Sequence, residues 1–355
     1  MECDKCNENF SFQELTSKIY FISEYDSLMA KSRIFLMKLG FDIHKIHDLH
    51  YIKVENTKIF FHSNIDAIKT YFNTLEAEKI QLYIEYENLG FSYKTILNAK
   101  PLQRYINLID DKDFFDVINN QSLTSHFQPI IKAKDTSIYG YECLIRGVNP
   151  DGSLMYPDVL FKKSSRNDMN FNLDRLCREN ALKTAATKKI NKKIFVNFIP
   201  TSIYDPEYCL KSTVKWAKQL EFDLSNIIFE VVETEQVQDQ KHLKNILEFY
   251  RNKGFKIALD DVGEGYSGLN RIISLKPDII KVDRNIIQDI DTNELKQSVY
   301  KALYNLSKEN NIEILAEGVE TAYELEIIKN IGVDYIQGYY FAKPISEPIR
   351  KIAKG

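Results

Sequence analysis

Residues 257–269 read IALDDVGEGYSGL. An apolar run ends in two adjacent carboxylates, Asp260 and Asp261, and a glycine-spaced turn follows. Neighbouring carboxylates repel; they persist where positive charge sits between them or where one keeps its proton. The run reads as a buried strand, and SGLNRIISLKP (267–277) as a short helix stopped by Pro277. Strand, polar turn and helix form the unit from which the C-terminal two-thirds is built.

Working outward, the same unit recurs. KIFVNFIP (193–200), NIIFEVVET (226–234), DIIKVDRNII (278–287), IEILAEGVE (312–320) and VDYIQGYYFA (333–342) read as strands. Between them, FNLDRLCRENALKTAATKKI (171–190), TVKWAKQL (213–220), DQKHLKNILEFYRNKGF (239–255, closed by Gly254), ELKQSVYKALYNLSKENN (294–311) and AYELEIIKNIG (322–332) have helical spacing. SHFQPII (125–131) and IYGYECLIRG (138–147) read as an antiparallel strand pair ahead of the repeat. Apolar strands alternating with helices predict a parallel sheet with helical crossovers, and their number favours a closed barrel. The expectation is an α/β fold, a modified TIM barrel with an antiparallel first strand, over residues 121–355.

Before it lie two stretches of different character. Residues 1–100 read as a small α+β domain: strands at KIYFIS (18–23), HYIKVENTKIFFHS (50–63) and KIQLYIEYENL (79–89), helices at SLMAKSRIFLMKLG (27–40) and NIDAIKTYFNTLEA (64–77). Residues 101–120 read as a helical linker. Length is consistent with two domains, since the chain has 355 residues. A net charge of −3 gives no basic surface for long nucleic acid. No apolar run is long enough to span a bilayer, and the first residues lack a signal-peptide pattern. Five cysteines are no disulfide framework. A cytoplasmic protein with reduced thiols, no membrane partner and no long nucleic-acid partner is expected.

Each barrel strand carries its odd polar residue near its C-terminal end: Glu142, Asn197, Glu230, Asp260, Asp261, Lys281, Glu317 and Gln337. Taken singly, each has an ordinary structural reading as a cap or turn former, and GEG lacks the lysine and serine of a phosphate loop. Buried separately they would be costly; converging at one barrel face they make one site. Glu142, Asn197, Glu230 and Asp260 are hard oxygen donors suited to Mg²⁺ or Mn²⁺ rather than zinc. Asp260 could bridge two ions, with Asp261 on the second, and the ions would then hold both carboxylates ionised. Two such ions activate water for in-line attack at phosphorus.

From about residue 121 to 348 the chain resembles the EAL-domain family of cyclic di-GMP phosphodiesterases. The motifs are YECLIRG (Glu142, Leu144, Arg146), VNFIP (Asn197), FEVVETE (Glu230, Glu233), DDVGEGYSGL (Asp260, Asp261), IIKVD (Lys281, Asp283), AEGVET (Glu317, Glu320) and IQGYYFAKP (Gln337, Pro344). The resemblance implies hydrolysis of cyclic di-GMP to linear pGpG with two Mg²⁺ or Mn²⁺ ions. Glu142, Asn197, Glu230 and Asp260 would hold one ion, and Asp260, Asp261 and Glu317 the other. Lys281 would orient or polarise the attacking water. Glu317 would be a second-metal ligand or the proton acceptor, and Gln337 would hold that water or Glu317. Gln128, Leu144, Arg146, Asp283 and Pro344 would join Glu142 in lining the substrate, with Arg146 facing a phosphate. Glu233 would brace the loop from Val262 to Gly268. Departures from the family pattern, Cys143, Ile199, Val232, Val262 and Gly268, remove no ligand but touch the supporting shell. They keep open a catalytically weak receptor, or a regulator acting through protein contacts.

Remaining features have structural and functional readings side by side. Cys3 and Cys6 with His44, His47 and His50 form either a metal site or a frayed terminus and polar turn. Cys143, Cys177 and Cys209 are expected to be packed. Leu295, Val299, Leu303 and Leu306 form a helical stripe that either packs on the barrel or, as in the family, contributes to a homodimer. The N-terminal domain is expected to be sensory or regulatory.

Overall fold

The computed structural model describes residues 11–47, 49–86, 97–203, 205–232, 240–263 and 268–352. Two compact units divide the described chain between Asn120 and Gln121.

The N-terminal unit is built on a five-stranded antiparallel sheet. Its strands are β1 (Ser17–Ile22), β2 (His44–Ile46), β3 (Leu49–Val54), β4 (Gln81–Glu85) and β5 (Lys100–Pro101), in the order β2-β3-β1-β4-β5. Strand alternation puts Ile19, Phe21, Ile52, Val54 and Leu82 on one face. That face packs with Phe35 and Leu36 of helix Asp26–Lys38 and Phe60 and Phe61 of helix Thr57–Tyr71. On the other face Tyr20 stands opposite Tyr51 and Tyr83, and its hydroxyl donates to Glu85 Oε2 at 3.0 Å. The stretch 50–63 is not one strand: it turns into a helix at Thr57 because Asn56 accepts from the Ile59 amide at 3.0 Å. The β-branched and aromatic content masked that N-cap. Residues 101–120 form helices Leu102–Asp110 and Lys112–Asn119. Leu102 and Ile106 sit in the N-terminal core rather than on a free linker.

The second unit is an eight-stranded mixed barrel. Its strands are β6 (Leu123–Lys132), β7 (Ile138–Val148), β9 (Lys193–Asn197), β10 (Ile227–Val232), β11 (Lys256–Val262), β12 (Ile279–Val282), β13 (Glu313–Ala316) and β14 (Tyr335–Ile336). A short β8 (Leu154–Met155) pairs only with β7, and β6–β7 pairing closes the ring. β6 runs antiparallel to both neighbours, β7 and β14; the other barrel pairings are parallel. Two predicted strands are shorter than the sequence suggests. β12 stops at Val282 because Asp283 caps the turn Arg284–Ile287, accepting from Asn285 N at 2.8 Å. β14 is two residues long.

The strands are apolar on both faces because both are covered. Outward residues such as Ile194, Val196, Phe229, Ile257, Leu259 and Ile280 pack against the helices. Inward residues Ile130, Phe195, Ile228, Ala258, Ile279 and Leu315 fill the interior, with Tyr335. Among the described residues no helix is long and apolar enough to cross a membrane. Cys143, Cys177 and Cys209 are buried, and burial pushes the Cys143 thiol well up, beside Glu230 and Glu142.

Candidate active site

The interior layer fixes the site. Two residues beyond each inward apolar side chain comes a polar one: Phe195 then Asn197, Ile228 then Glu230, Ala258 then Asp260, Ile279 then Lys281, Leu315 then Glu317, Tyr335 then Gln337. The period of two keeps each polar residue on the inward side. On β6, which runs the other way, the polar member precedes its apolar partner: Gln128 before Ile130. Gln128 stands directly opposite Glu142, and Glu142 opposite Phe195. The eight strand ends therefore deliver one polar layer above one apolar layer.

The hydrogen bonds of that layer are specific. Gln337 Nε2 donates to Glu142 Oε2 at 2.6 Å and Gln128 Oε1 at 3.1 Å. Asn197 Nδ2 donates to Glu142 Oε1 at 3.3 Å. Lys281 Nζ lies 2.5 Å from Glu230 Oε1, 2.9 Å from Asp260 Oδ1 and 2.7 Å from Glu317 Oε1. Backbone ties hold the last two strands in register: Glu317 N donates to Val282 O at 3.1 Å and Gln337 N to Ala316 O at 2.9 Å. Gly338 is required here, because a Cβ would lie 2.0 Å from Val319 O.

Asp260 and Asp261 both line the same cavity, of about 250 Å³, with Glu142, Lys281, Glu317 and Gln337. Successive strand residues ordinarily face opposite ways. Here the β11–β12 register shifts between Leu259 and Val262, and Asp261 adopts φ +54°. Such a bulge re-aims a side chain.

Among the described residues, six carboxylates line the cavity (Glu142, Asp260, Asp261, Asp283, Glu317 and Glu320) against the cations Lys281 and Arg284. Burial pushes Glu230 well above the ordinary glutamate range despite Lys281, with Glu142 and Asp260 adding to the rise. Burial and then Asp260 do the same to Glu317. Burial alone would lower the Lys281 pKa, but Asp260, Glu142, Glu230 and Glu317 hold it well above its usual value.

The donor set fits divalent cations. Carboxylate oxygens of Glu142, Glu230 and Asp260 lie within 4.8 Å of one another, as do those of Asp260, Asp261 and Glu317. Asp260 is common to both groups. Glu230 Oε2 is fully buried with no hydrogen-bond donor among the described residues, and Gln337 Oε1 likewise lacks a partner. Such groups call for a cation, a water or a ligand.

The remaining expected site residues are spread further. Leu144 lines a second, apolar cavity of about 550 Å³, with Pro157, Phe161, Cys143, Cys177 and Asn197. Arg146 is buried, donates to Ile145 O at 2.7 Å and stacks 4.8 Å over the Tyr156 ring. Asp283 spends one oxygen on its cap. Pro344 is half-buried, next to Ile345, which bridges Phe127. Glu233, Cys3 and Cys6 lie outside the described residues, as does most of the loop Glu233 was expected to brace. His44 stacks on Tyr51 in the β2–β3 pair, and His47 occupies the turn at φ +52°. The sequence reading missed Tyr339 and Arg284, which line the acidic cavity. Each sits within three residues of a predicted site residue, which was the signal available.

The EAL-domain sequence profile matches residues 111–344. PdeG of Escherichia coli K12, described as a probable cyclic di-GMP phosphodiesterase, is 28% identical over 254 residues, 69% of this chain and 49% of that protein. The chain spans about half or less of the length of the curated relatives it matches. The c-di-GMP-bound standalone EAL protein from Vibrio cholerae O395 is 39% identical, covering 65% of this chain and 95% of that one, with a TM-score of 0.59. Klebsiella pneumoniae BlrP1, solved as a manganese and cyclic di-GMP complex, is 20% identical over 93% of this chain and 96% of its own, with a TM-score of 0.58. That likeness is one of fold, and it takes in the N-terminal unit as well as the barrel.

Proposed function

This chain belongs to the EAL-domain family, and from that premise we propose that it hydrolyses cyclic di-GMP to linear pGpG. The reading rests chiefly on the two carboxylate groups that share Asp260. Glu142, Asn197, Glu230 and Asp260 would hold one Mg²⁺ or Mn²⁺ ion, and Asp260, Asp261 and Glu317 a second. An acidic cavity repels a phosphodiester; bound divalent ions supply the positive charge, polarise the phosphoryl oxygens and lower the pKa of water.

The chain's own residues do the rest. Lys281 keeps its proton and spends its three N–H donors on Glu230, Asp260 and Glu317; a carboxylate drawn onto an ion would free one of them for the attacking water. Glu317, with its raised proton affinity, serves the second ion or takes the water's proton. Gln337 has both strong contacts on Nε2, so Oε1 remains to accept from water. Gln128 positions Gln337. Arg146, stiffened by Tyr156, would receive a non-bridging phosphate oxygen, and the apolar cavity beside Leu144 would take a guanine base. Asp283 and Pro344 would line the substrate's edge, and Glu233 would brace the loop after Val262.

The test is chromatography of nucleotides after incubating the full chain with cyclic di-GMP and Mn²⁺ or Mg²⁺. pGpG that disappears with EDTA is expected. Tight binding without product would assign a receptor instead.

Two further elements belong to the proposal. The N-terminal unit would set the rate, so its ligand or partner should change turnover. Homodimerisation would use helix Glu294–Glu309, whose Leu295 and Val299 are exposed while Leu303 and Leu306 pack on the barrel. Leu295→Asp should shift a dimer to monomer in analytical ultracentrifugation.

A further inference from the structure

Helix Asn170–Thr187 carries an ion pair inside the protein. Asp174 and Arg178 are 2% and 1% exposed. Arg178 Nε donates to Asp174 Oδ2 at 3.0 Å, and Nη2 lies 2.8 Å from the same oxygen. Arg178 Nη1 donates to Thr213 Oγ1 at 2.8 Å on helix Lys211–Gln219. The other Asp174 oxygen, Oδ1, leaves the helix layer and accepts from the Ile199 amide at 2.8 Å. Burial raises the Asp174 carboxyl, but N–H donors aimed at both oxygens are what an ionised carboxylate accepts.

Ile199 lies two residues beyond Asn197, where β9 has ended. Both amides of that segment are tied. Phe198 N donates to Glu230 O at 3.2 Å, and Ile199 N donates to Asp174. Pro200 follows and has no N–H to offer. A buried ion pair is poor evidence of stabilisation, since apolar replacement of both partners is often neutral. Its distinctive product here is an acceptor, held rigid from below, for one backbone amide at the edge of the polar layer.

We propose that Asp174, clamped by Arg178, is a positioning residue that fixes the backbone after β9 and so aims the Asn197 amide at the metal site. The proposal rests on the phosphodiesterase reading only in taking Asn197 as a metal ligand. Asp174 belongs to neither carboxylate group that would hold an ion; it also lines the apolar cavity beside Leu144, so the readout that isolates its action through Ile199 and Asn197 is metal affinity without nucleotide.

Two double variants isolate the acceptor from the charge. D174N/R178M abolishes the ion pair but keeps a side-chain oxygen for Ile199 N–H. D174L/R178M abolishes both, and D174T/R178M, too short to reach, replaces it if the leucine version fails to fold. Thermal melting confirms folding, and calorimetry measures Mn²⁺ affinity of the full chain without nucleotide. D174N/R178M, which keeps the acceptor and loses the clamp, should bind Mn²⁺ only slightly more weakly than wild type, and D174L/R178M about 10- to 100-fold more weakly. Adding Asn197→Ala to D174L/R178M should cost much less than Asn197→Ala alone costs wild type. Equal affinity in the two double variants, or full additivity with Asn197→Ala, overturns the positioning role. Wild type that binds Mn²⁺ yet yields no pGpG overturns the enzyme reading and not this one; wild type that binds no Mn²⁺ overturns both.

Discussion

Asp260 and Asp261 are neighbours in the chain and yet line one cavity, because Asp261 takes up the left-handed conformation at φ +54°. Asp260 Oδ1 accepts the Asp261 amide at 3.0 Å, so the first carboxylate helps to hold the turn that aims the second. The repulsion between them is met locally by Lys281, 2.9 Å from Asp260 Oδ1.

That backbone conformation separates charge from strain. Asn tolerates the left-handed region and a β-branched residue does not. Asp261→Asn should keep the stability of the wild type while weakening Mn²⁺ binding. Asp261→Val should lose the same affinity and about 1–2 kcal/mol of stability as well. Urea unfolding with EDTA present reads the second effect alone; equal midpoints for the two variants would mean the bulge is not strained.

Glu142 accepts from both Gln337 and Asn197. Removing it deletes a carboxylate ligand and frees two amides that it orients. Glu142→Ala should therefore drop turnover of cyclic di-GMP by more than the ~100-fold typical of losing a supporting contact. Unchanged turnover in this variant would sink the site assignment.

Lys281 is the internal counter-ion of Glu230, Asp260 and Glu317. Removing one partner of a buried charge cluster leaves the others uncompensated, at about 3–5 kcal/mol. Lys281→Met should melt well below wild type in EDTA, and Mn²⁺ should raise its melting temperature more than that of wild type, because the ions then replace the positive charge lost from beside Glu230, Asp260 and Glu317. Equal Mn²⁺-induced shifts would show that Lys281 does not neutralise the cluster.

Most of this architecture can be read from residue spacing, and the exceptions have local causes. The polar residues at strand ends were visible because each interrupts an apolar run, as Glu230 interrupts IIFEVV and Lys281 IIKV. Their convergence follows from period two and a closed sheet. The Asp261 bulge is not legible, since no single residue type demands it. The helix beginning at Thr57 was hidden by strand-forming side chains, although Asn56 marks it. Asp174 escaped notice because an acid four residues before an arginine on a helix reads as an ordinary exposed pair. Only the tertiary fold brings Ile199 N–H to it.

The raised proton affinities of Glu230 and Glu317 give opposite pH dependences with and without metal. A carboxyl whose folded pKa lies above its unfolded one binds more protons when folded. In EDTA these two groups therefore make the protein less stable as pH rises from the ordinary glutamate value through their raised folded values. Lys281, raised as well, keeps its contribution until strongly alkaline pH and does not mask the trend. Metal must displace those protons, so Mn²⁺ affinity rises over the same window and binding releases protons. The melting-temperature gap between Mn²⁺ and EDTA should widen from mildly acidic to neutral pH. Calorimetry in buffers of different ionisation enthalpy should show proton release that shrinks as pH rises. A gap that stays constant with pH, with no buffer dependence of the heat, would mean that both carboxylates are already ionised in the metal-free protein and that Lys281 alone offsets the cost of burying them.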